Sequence, residues 1–233
     1  MATDTDTNTN TDTNTEQRPT KLNFKHCTLQ ELEHLFGLTQ VEQMPAMTAW
    51  LSGQSEDVET EISKYEHPTI LHLQRELIKH VHDWNEDELT FGFIAPLMLF
   101  ANYADKMFNF FNQRLFGSTI DGIELSGKPD GMIASGKRRP QKPYFCFQEY
   151  KREQDPEGDP AGQVLAAMLV AQELNEHKHP IYGCYVKGAI WYFVVLQGKE
   201  YVISLPYVAV REDIFAIVSI LKALKPIIRD LIQ

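Results

Sequence analysis

The 233-residue chain has few cysteines, no long apolar run and no sign of a secretion signal. Its three cysteines, Cys27, Cys146 and Cys184, are widely spaced and include no Cys-x-x-Cys pair, which argues against a disulfide framework or a thiolate zinc site. We therefore expect a reducing, cytoplasmic environment. No apolar run approaches the ~20 residues of a membrane helix, and no signal peptide opens the chain, so we expect no membrane insertion.

Several short motifs for nucleotide binding and covalent catalysis are also absent. Neither Gly-x-x-x-x-Gly-Lys-Ser/Thr nor Gly-x-Gly-x-x-Gly occurs, so binding of a nucleotide by either backbone cradle has no basis in the sequence. Gly-x-Ser-x-Gly is missing, and no cysteine has a clear histidine partner, which disfavours a hydrolase with a nucleophilic side chain. The pairs His80-x-His82 and His177-x-His179 lack a third ligand, and we interpret them as solvated helix ends.

The charge of the chain is acidic overall but unevenly distributed. Its 22 Lys and Arg residues against 32 Asp and Glu residues leave a formal net charge of −10. Because neutralisation of phosphates dominates affinity for nucleic acids, this charge argues against a general nucleic-acid binder. From Asp121 to Asp155, however, seven basic residues accompany six acidic ones. Lys137-Arg138-Arg139 and Lys142 lie there in a predicted loop, which either contacts a phosphate or is simply solvated.

Near the middle of the chain, acidic and basic residues follow a pattern that suits metal-assisted chemistry. Asp130 stands in a Pro-Asp-Gly tripeptide, and the apolar run beyond it ends in Glu149-Tyr150-Lys151. Side chains two apart on a strand share a face, so Glu149 and Lys151 point the same way and Tyr150 points oppositely. If Asp130 lies at the end of a neighbouring strand, three charges converge. Two carboxylates with open water positions suit Mg²⁺, and a lysine can stabilise charge on a phosphate or help ionise a water.

Hydrophobic spacing, capping residues and turn signals predict an α/β chain. The predicted helices lie within 28–51 with Thr28 as N-cap, over 69–84, from 85–88 through 91–111 with a bend at Pro96, over 159–177 with Asp159 as N-cap, and over 214–232 with an interruption near Pro226. The predicted strands are 120–124, 131–134, 144–151, 181–187, 190–196 and 200–205. Residues 52–61 read as a polar linker, and 136–143 as a loop.

The order of these elements resembles the PD-(D/E)XK nuclease superfamily, to which restriction endonucleases belong. The matching order is a strand, an acidic residue, a strand with Glu-x-Lys, a helix with an early glutamine and a further strand, over roughly residues 85–205. The resemblance implies a restriction-endonuclease-like mixed central β-sheet flanked by α-helices, with additional N-terminal helices. It divides the chain into a disordered Thr/Asp/Asn-rich tail at 1–20, an N-terminal helical region at 21–84 and a nuclease-like domain at 85–233.

The resemblance assigns the metal site residue by residue. Asp130 matches the aspartate of the family motif, and Pro129 before it preserves the Pro-Asp dipeptide. Glu149 matches the second metal-binding acid, and Lys151 matches the lysine of the motif. The backbone carbonyl of Tyr150 would be a further ligand of the metal. The implied cofactor is Mg²⁺, with Mn²⁺ as a substitute.

The resemblance also assigns two supporting roles, and for each of them the sequence leaves an alternative explanation open. Gln163, in the first turn of a predicted helix, resembles a glutamine that many members place beside the lysine, although a solvated position would explain it equally simply. The family also uses a glutamate on an upstream helix, for which Glu88 is our first choice and Glu86 our second. Capping of a helix by its acidic first turn would by itself explain both glutamates.

The function implied by the resemblance is Mg²⁺-dependent cleavage of phosphodiesters, with DNA as the favoured nucleic acid. The alternative is a non-catalytic protein-interaction module on the same fold. The presence of the Asp, Glu and Lys together favours the enzyme. The net charge of −10 and the lack of a separate specificity domain favour the module, or an enzyme that reaches nucleic acid as a homodimer or in a larger assembly.

Overall fold

The computed structural model describes residues 20–52, 61–154 and 158–232, and it is a mixed α/β structure with a large sheet flanked by helices. The strands are β1 (Lys21–Asn23), β2 (Thr39–Gln40), β3 (Phe108–Asn112), β4 (Phe116–Ile120), β5 (Ile123–Gly127), β6 (Gly131–Ser135), β7 (Gln141–Lys151), β8 (Ile181–Lys187), β9 (Ile190–Gln197), β10 (Glu200–Ile203) and β11 (Tyr207–Val208). The α-helices are α1 (Leu29–Phe36), α2 (Pro45–Leu51), α3 (Glu66–His80), α4 (Glu86–Leu89), α5 (Ala95–Ala101), α6 (Pro160–Leu174) and α7 (Asp213–Ile232).

The eight-stranded sheet has the order β2-β10-β9-β8-β7-β6-β3, with β11 beside β9. Strands β7 and β8 are parallel and are joined through α6, because a parallel pair requires a crossover connection. Strands β6 and β7 form an antiparallel pair in which Gly131 lies opposite Gln148. The start of β6 and the end of β7 therefore lie side by side, next to the first turn of α6. A smaller sheet has the order β1-β5-β4.

Two hydrophobic clusters lie on opposite faces of the large sheet, because alternate strand residues enter different clusters. Cys146 and Val195 belong to a cluster that also contains buried residues of α2, α3, α5 and α7. Phe147 and Val194, the next residues in β7 and β9, belong to a cluster with α1 and α6. Helix α6 is buried along nearly its whole length, which explains its continuous apolar sequence.

Most predicted elements are confirmed, including both N-caps. The Thr28 side chain accepts a hydrogen bond from the Glu31 amide, and the Asp159 side chain accepts one from the Ala161 amide. The predicted strands at 131–134, 144–151, 181–187, 190–196 and 200–205 correspond to β6, β7, β8, β9 and β10. The predicted loop at 136–143 is shorter, because β7 begins at Gln141.

The helix predicted over 91–111 is wrong in its second half. Helix α5 ends at Ala101, followed by Asn102 in the left-handed conformation, and residues 108–112 form β3. A π-helical turn at 90–94 precedes Pro96, which occupies the first turn of α5. Proline is tolerated there because the amide it lacks is needed only deeper in a helix. The aromatic residues of β3 instead pair along β6.

Three further predictions are corrected. The strand predicted at 120–124 spans a turn, since Asp121 and Gly122 both have positive φ, 50° and 82°, and connect β4 to β5 as a hairpin. Helix α7 continues through Pro226 instead of being interrupted there. The helix predicted at 69–84 exists as α3 but begins and ends earlier.

The region 21–84, predicted as helical, also supplies strands to both sheets. Strand β1 pairs in parallel with β5, and β2 pairs in parallel with β10. The Asp159 side chain, which caps α6, also accepts a hydrogen bond of 2.8 Å from the Leu29 amide at the start of α1. The predicted tail at 1–20 lies outside the described residues except for Thr20, and the predicted linker at 52–61 lies outside them except at its two ends.

Candidate active site

A cleft of about 440 Å³ opens where the start of β6, the end of β7 and the first turn of α6 meet. It contains five of the six side chains that the resemblance pointed to, its second choice Glu86 included, and it adds residues from the N-terminal segment. The lining residues are Asn23, Phe24, Lys25, Asn85, Glu86, Lys128, Asp130, Glu149, Lys151, Arg152 and Gln163.

Asp130 is held at the cleft by the sheet itself. It immediately precedes β6, and its Oδ2 accepts a hydrogen bond of 2.8 Å from the Tyr150 amide in β7. The β6–β7 pairing ends at Gly131 opposite Gln148, so the Asp130 side chain takes the place of the next backbone partner. A Cβ at Gly131 would lie 2.9 Å from Gln148 Oε1 and 2.7 Å from the Phe110 ring, which explains the glycine after Asp130.

The alternation of side chains along β7 separates the polar site from the core. Glu149 and Lys151 face the cleft, and Lys151 Nζ donates a hydrogen bond of 2.8 Å to Glu149 Oε1. Tyr150 points into the opposite cluster, where its hydroxyl donates to Gln148 Oε1. The N–H and C=O of a strand residue point to the same edge, so the Tyr150 carbonyl faces the Asp130 side, as its amide does.

The buried carboxylates in this cleft resist ionisation. Burial raises the pKa of Glu149 to about 8, and the Asp130 carboxylate adds to the rise while Lys151 opposes it. Burial also raises the pKa of Asp130 to about 6, with the Tyr150 amide acting in the opposite direction and Glu86 adding to the rise. For Lys151, burial disfavours the cation, but the carboxylates of Glu149, Glu86 and Asp130 prevail and raise its pKa.

The acidic run of α4, before the π-helical turn, contributes Glu86 to the cleft. Our first choice for the upstream glutamate was Glu88, and the structure places Glu86 there instead. Glu86 Oε2 lies 3.5 Å from Lys151 Nζ. Glu88 instead accepts a hydrogen bond of 2.8 Å from the Asn85 amide, and the Asn85 side chain accepts one of 2.9 Å from the Glu88 amide. This reciprocal pair is a capping box for α4, so Glu88 turns toward its own helix terminus and away from the cleft.

Gln163 is buried in the cleft wall, which excludes the solvated position as its explanation. It is 3% exposed, and its Nε2 is buried without a hydrogen-bond partner among the described residues. Burial of an amide N–H without a hydrogen-bond partner costs free energy. This arrangement suits an N–H group that donates to an acceptor on a bound molecule. The crossover from β7 through α6 places Gln163 in the same cleft as Lys151.

The N-terminal segment at 23–25 is the part of the cleft that the sequence did not reveal. Close packing positions it, since a Cβ at Gly162 in α6 would lie 2.5 Å from the Cys27 carbonyl oxygen. Lys25, Lys128 and Arg152 are exposed at the cleft, so cations surround the buried carboxylates. None of these three cations was singled out from the sequence; Lys128 and Arg152 adjoin the Pro-Asp and Glu-x-Lys motifs, but no local signal points to Lys25.

The basic loop that we considered as a phosphate contact lies away from this cleft. It joins β6 to β7, whereas the cleft lies at the other end of both strands. Strand β6 runs from Gly131 to Ser135, and a strand rises ~3.3 Å per residue, so roughly 15 Å separate its two ends.

The donor atoms in the cleft suit a hard divalent cation. Asp130 and Glu149 supply carboxylate oxygens, the Tyr150 carbonyl faces the Asp130 edge, and Mg²⁺ prefers one or two carboxylates together with water. Burial is the main cause of the raised pKa values of both carboxyls, and neighbouring carboxylates add to it, so a bound cation would favour the ionised forms. Within the described ranges, no group of three or more His, Cys, Asp and Glu side chains is arranged to hold a metal, so any site here depends on backbone and water ligands.

Comparison of the sequence with protein-family models gives no match, and no curated protein matches the chain. Across residues 20–52, 61–154 and 158–232, no helix has the length and apolar character to cross a membrane. Cys27, Cys146 and Cys184 are free thiols, and all are buried.

Proposed function

We propose that the protein is a Mg²⁺-dependent phosphodiesterase of the restriction-endonuclease-like type, acting on nucleic acid and by preference on DNA. The observation that carries this proposal is the meeting of Asp130, Glu149 and Lys151 in one cleft, with both carboxyl pKa values raised. Two neighbouring carboxylates repel each other, so placing them together out of water would only destabilise a site with a purely structural role.

Asp130, Glu149 and the Tyr150 carbonyl are the residues that would hold the ion. When bound, Mg²⁺ lowers the pKa of a water molecule that it ligates and neutralises charge on the phosphate. The chain positions these oxygens through the bond between Asp130 and the Tyr150 amide, and through the regular end of β7. Both features are properties of the paired backbone, so the oxygens are fixed before substrate binds.

Lys151 and Gln163 are suited to act on the phosphate and the attacking water. Lys151 is 9% exposed, and its ammonium is oriented by Glu149 at 2.8 Å and approached by Glu86 at 3.5 Å. A preorganised cation in a partly dry site stabilises developing charge better than a solvated one. The unpartnered Nε2 of Gln163 is available to donate to a phosphate or water oxygen.

The net charge of −10 disfavours nucleic-acid binding by the chain as a whole, but cations are concentrated around the cleft. Lys25, Lys128 and Arg152 line the opening, and with Lys151 they outnumber the three carboxylates Glu86, Asp130 and Glu149. Three exposed cations at the cleft suit a polyanion, and the less exposed carboxylates Asp130 and Glu149 suit a divalent cation. The acidic remainder of the chain would then repel nucleic acid, so that binding at the cleft is favoured over binding elsewhere on the surface.

The second candidate is a non-catalytic interaction module on the same fold. It is favoured by the direct contact between Lys151 and Glu149, which balances part of the charge without any ligand. We place either protein in the cytoplasm, where three buried free thiols are stable, and the enzyme would engage DNA as a homodimer or within a larger assembly.

Cleavage of supercoiled plasmid and of single-stranded DNA with Mg²⁺ or Mn²⁺ separates the two candidates. Wild type is compared with Glu149→Ala, and EDTA serves as the control. Metal-dependent nicking that is lost in the variant supports the enzyme. No nicking by a folded wild type, together with no Mn²⁺ binding by calorimetry, supports the module.

A further inference from the structure

A second charged cavity, of about 730 Å³, lies between α7, the segment before β3 and the loop after β6. Its lining contains four cationic side chains and one carboxylate. The lining residues are Ala104, Asp105, Lys106, Asn109, Lys137, Lys225 and Arg229. It is distinct from the candidate active site, because the two lie at opposite ends of β6, roughly 15 Å apart along the strand.

Lys225 is the least exposed lysine of this cavity. Its residue is 9% exposed, and within the described part of the chain its Nζ forms no hydrogen bond or ion pair. This Nζ is not one of the buried side-chain nitrogens that lack a partner, so the stem is buried while the ammonium reaches solvent at the cavity. Lys222, one turn earlier on α7, is instead neutralised, because its Nζ contacts the Glu66 carboxylate at 2.7 Å and donates to the Glu61 carbonyl.

The carboxylate in the cavity does not neutralise Lys225, because Arg229 occupies it. Arg229 donates to Asp105 Oδ2 from Nε at 3.2 Å and from the terminal nitrogen at 3.1 Å. Asp105 Oδ1 accepts from the Met107 amide. Lys106, Lys137 and Lys225 therefore remain as three ammonium groups that face one space without an opposing carboxylate among its lining residues.

We infer that this cavity is a phosphate-binding site. Three unopposed ammonium groups match a phosphate dianion better than a single carboxylate, and lysine binds phosphate as a point charge. Asn109, whose amide nitrogen donates to the Gly136 carbonyl at 2.7 Å, holds the Lys137 loop against the cavity. The volume exceeds that of one phosphate and falls in the range of small-ligand sites, ~300–1,000 Å³. The ligand is thus a phosphate-bearing molecule, either a free nucleotide-sized compound or a stretch of nucleic-acid backbone.

The adjoining Arg138 and Arg139 are exposed on the same loop, which extends the positive surface beyond the cavity. This arrangement gives the basic loop a role that does not involve the candidate active site. The inference stands independently of the proposed nuclease activity, since it uses none of the residues of that cleft.

Isothermal titration of the full chain in EDTA tests the inference, with inorganic phosphate and hexathymidylate as separate probes. We expect the wild type to bind at least one of them, and Lys225→Met to weaken that binding by at least ~10-fold, as the loss of one charged hydrogen bond predicts. Methionine preserves the length of the buried stem, so the variant should fold. Lys137→Gln, an exposed change, should weaken binding in the same direction and serves if Lys225→Met does not fold.

Lys178→Met is the matched control, because it removes an exposed lysine that lines neither cavity. It should leave affinity for both probes unchanged. Binding of phosphate alone identifies a small-molecule ligand, and tighter binding of hexathymidylate identifies nucleic-acid backbone. No binding of either probe by the wild type, or equal binding by Lys225→Met and the wild type, would overturn the inference. A loss of binding in Lys178→Met as large as that in Lys225→Met would also overturn it.

Discussion

The Tyr150 amide donates a hydrogen bond of 2.8 Å to Asp130 Oδ2, and this contact joins the start of β6 to the end of β7 that carries Glu149 and Lys151. The same bond serves two purposes. It continues the pairing of the two strands by one step after their backbone ladder ends, and it orients a carboxylate toward Glu149 and Lys151. The position of the proposed metal ligands is therefore built into the sheet.

Asp130→Asn should abolish metal-dependent cleavage while preserving the fold. The asparagine retains a carbonyl oxygen that can accept from the Tyr150 amide, so we expect the free energy of unfolding to change by no more than ~1 kcal/mol. The loss of one charged ligand should lower the rate of nicking by at least ~100-fold. Plasmid nicking and urea unfolding, measured on one preparation, check both parts. A variant that unfolds, or one that cleaves like the wild type, would contradict this role.

Glu149→Gln should stabilise the metal-free protein at alkaline pH. Burial raises the pKa of Glu149 to about 8, so the folded state binds this proton more tightly than the unfolded chain. Stability therefore falls as pH rises from the ordinary glutamate pKa, ~4.3, through about 8. Glutamine has no proton to lose, so its Tm should exceed that of the wild type by ~2–4 °C or more at pH 9 in EDTA. The difference should disappear at pH 4; a pH-independent difference would show that packing, not ionisation, causes it.

Glu86 and Glu88 should separate activity from stability. Glu88→Ala removes half of the capping box of α4 and should cost ~1 kcal/mol of unfolding free energy, with little effect on cleavage by the folded protein. Glu86→Gln should leave stability within ~0.5 kcal/mol and reduce cleavage, because it removes a carboxylate 3.5 Å from Lys151 Nζ. The reverse pattern in calorimetry and nicking rates would return the upstream acid to Glu88.

The ion pair between Glu66 and Lys222 should make stability fall in acid. Burial favours the neutral form of Glu66, but hydrogen bonds from Lys222 and Ser63 outweigh it and lower the pKa of Glu66. A carboxyl with a lowered folded pKa stabilises the protein above its unfolded pKa, and this contribution is lost as pH falls through the folded value. Glu66→Gln should lower the unfolding free energy by ~1 kcal/mol at pH 7 and by less at pH 3. Equal losses at both pH values in urea titrations would argue against an ionic origin.

The relation of Glu149, Tyr150 and Lys151 was predictable because it follows from the period of a single strand. The N-cap at Asp159 was likewise local, and it determines where α6 starts and hence where Gln163 lies. The choice between Glu86 and Glu88 was not predictable, because three consecutive acids satisfy the same helix-terminus preference and only the capping geometry distinguishes them.

Long-range pairing accounts for the remaining errors. The apolar residues 108–111 are compatible with a helix or a strand, and only pairing with β6 decides between them. Strand β1 joins β5 about a hundred residues later in the chain, and this pairing brings Lys25 to the cleft. The strand predicted at 120–124 is wrong for a different reason, because Asp121-Gly122 is a local signal of a tight hairpin turn.

The most direct test of the proposed activity is the rate of plasmid nicking by the wild type and by Lys151→Met in Mg²⁺. Methionine keeps the buried stem of the side chain but removes the ammonium that Glu149 and Glu86 orient. Our account predicts Mg²⁺-dependent nicking by the wild type, abolished by EDTA and reduced at least ~100-fold in the variant. Absence of nicking by the folded wild type, or an equal rate in Lys151→Met, would contradict it.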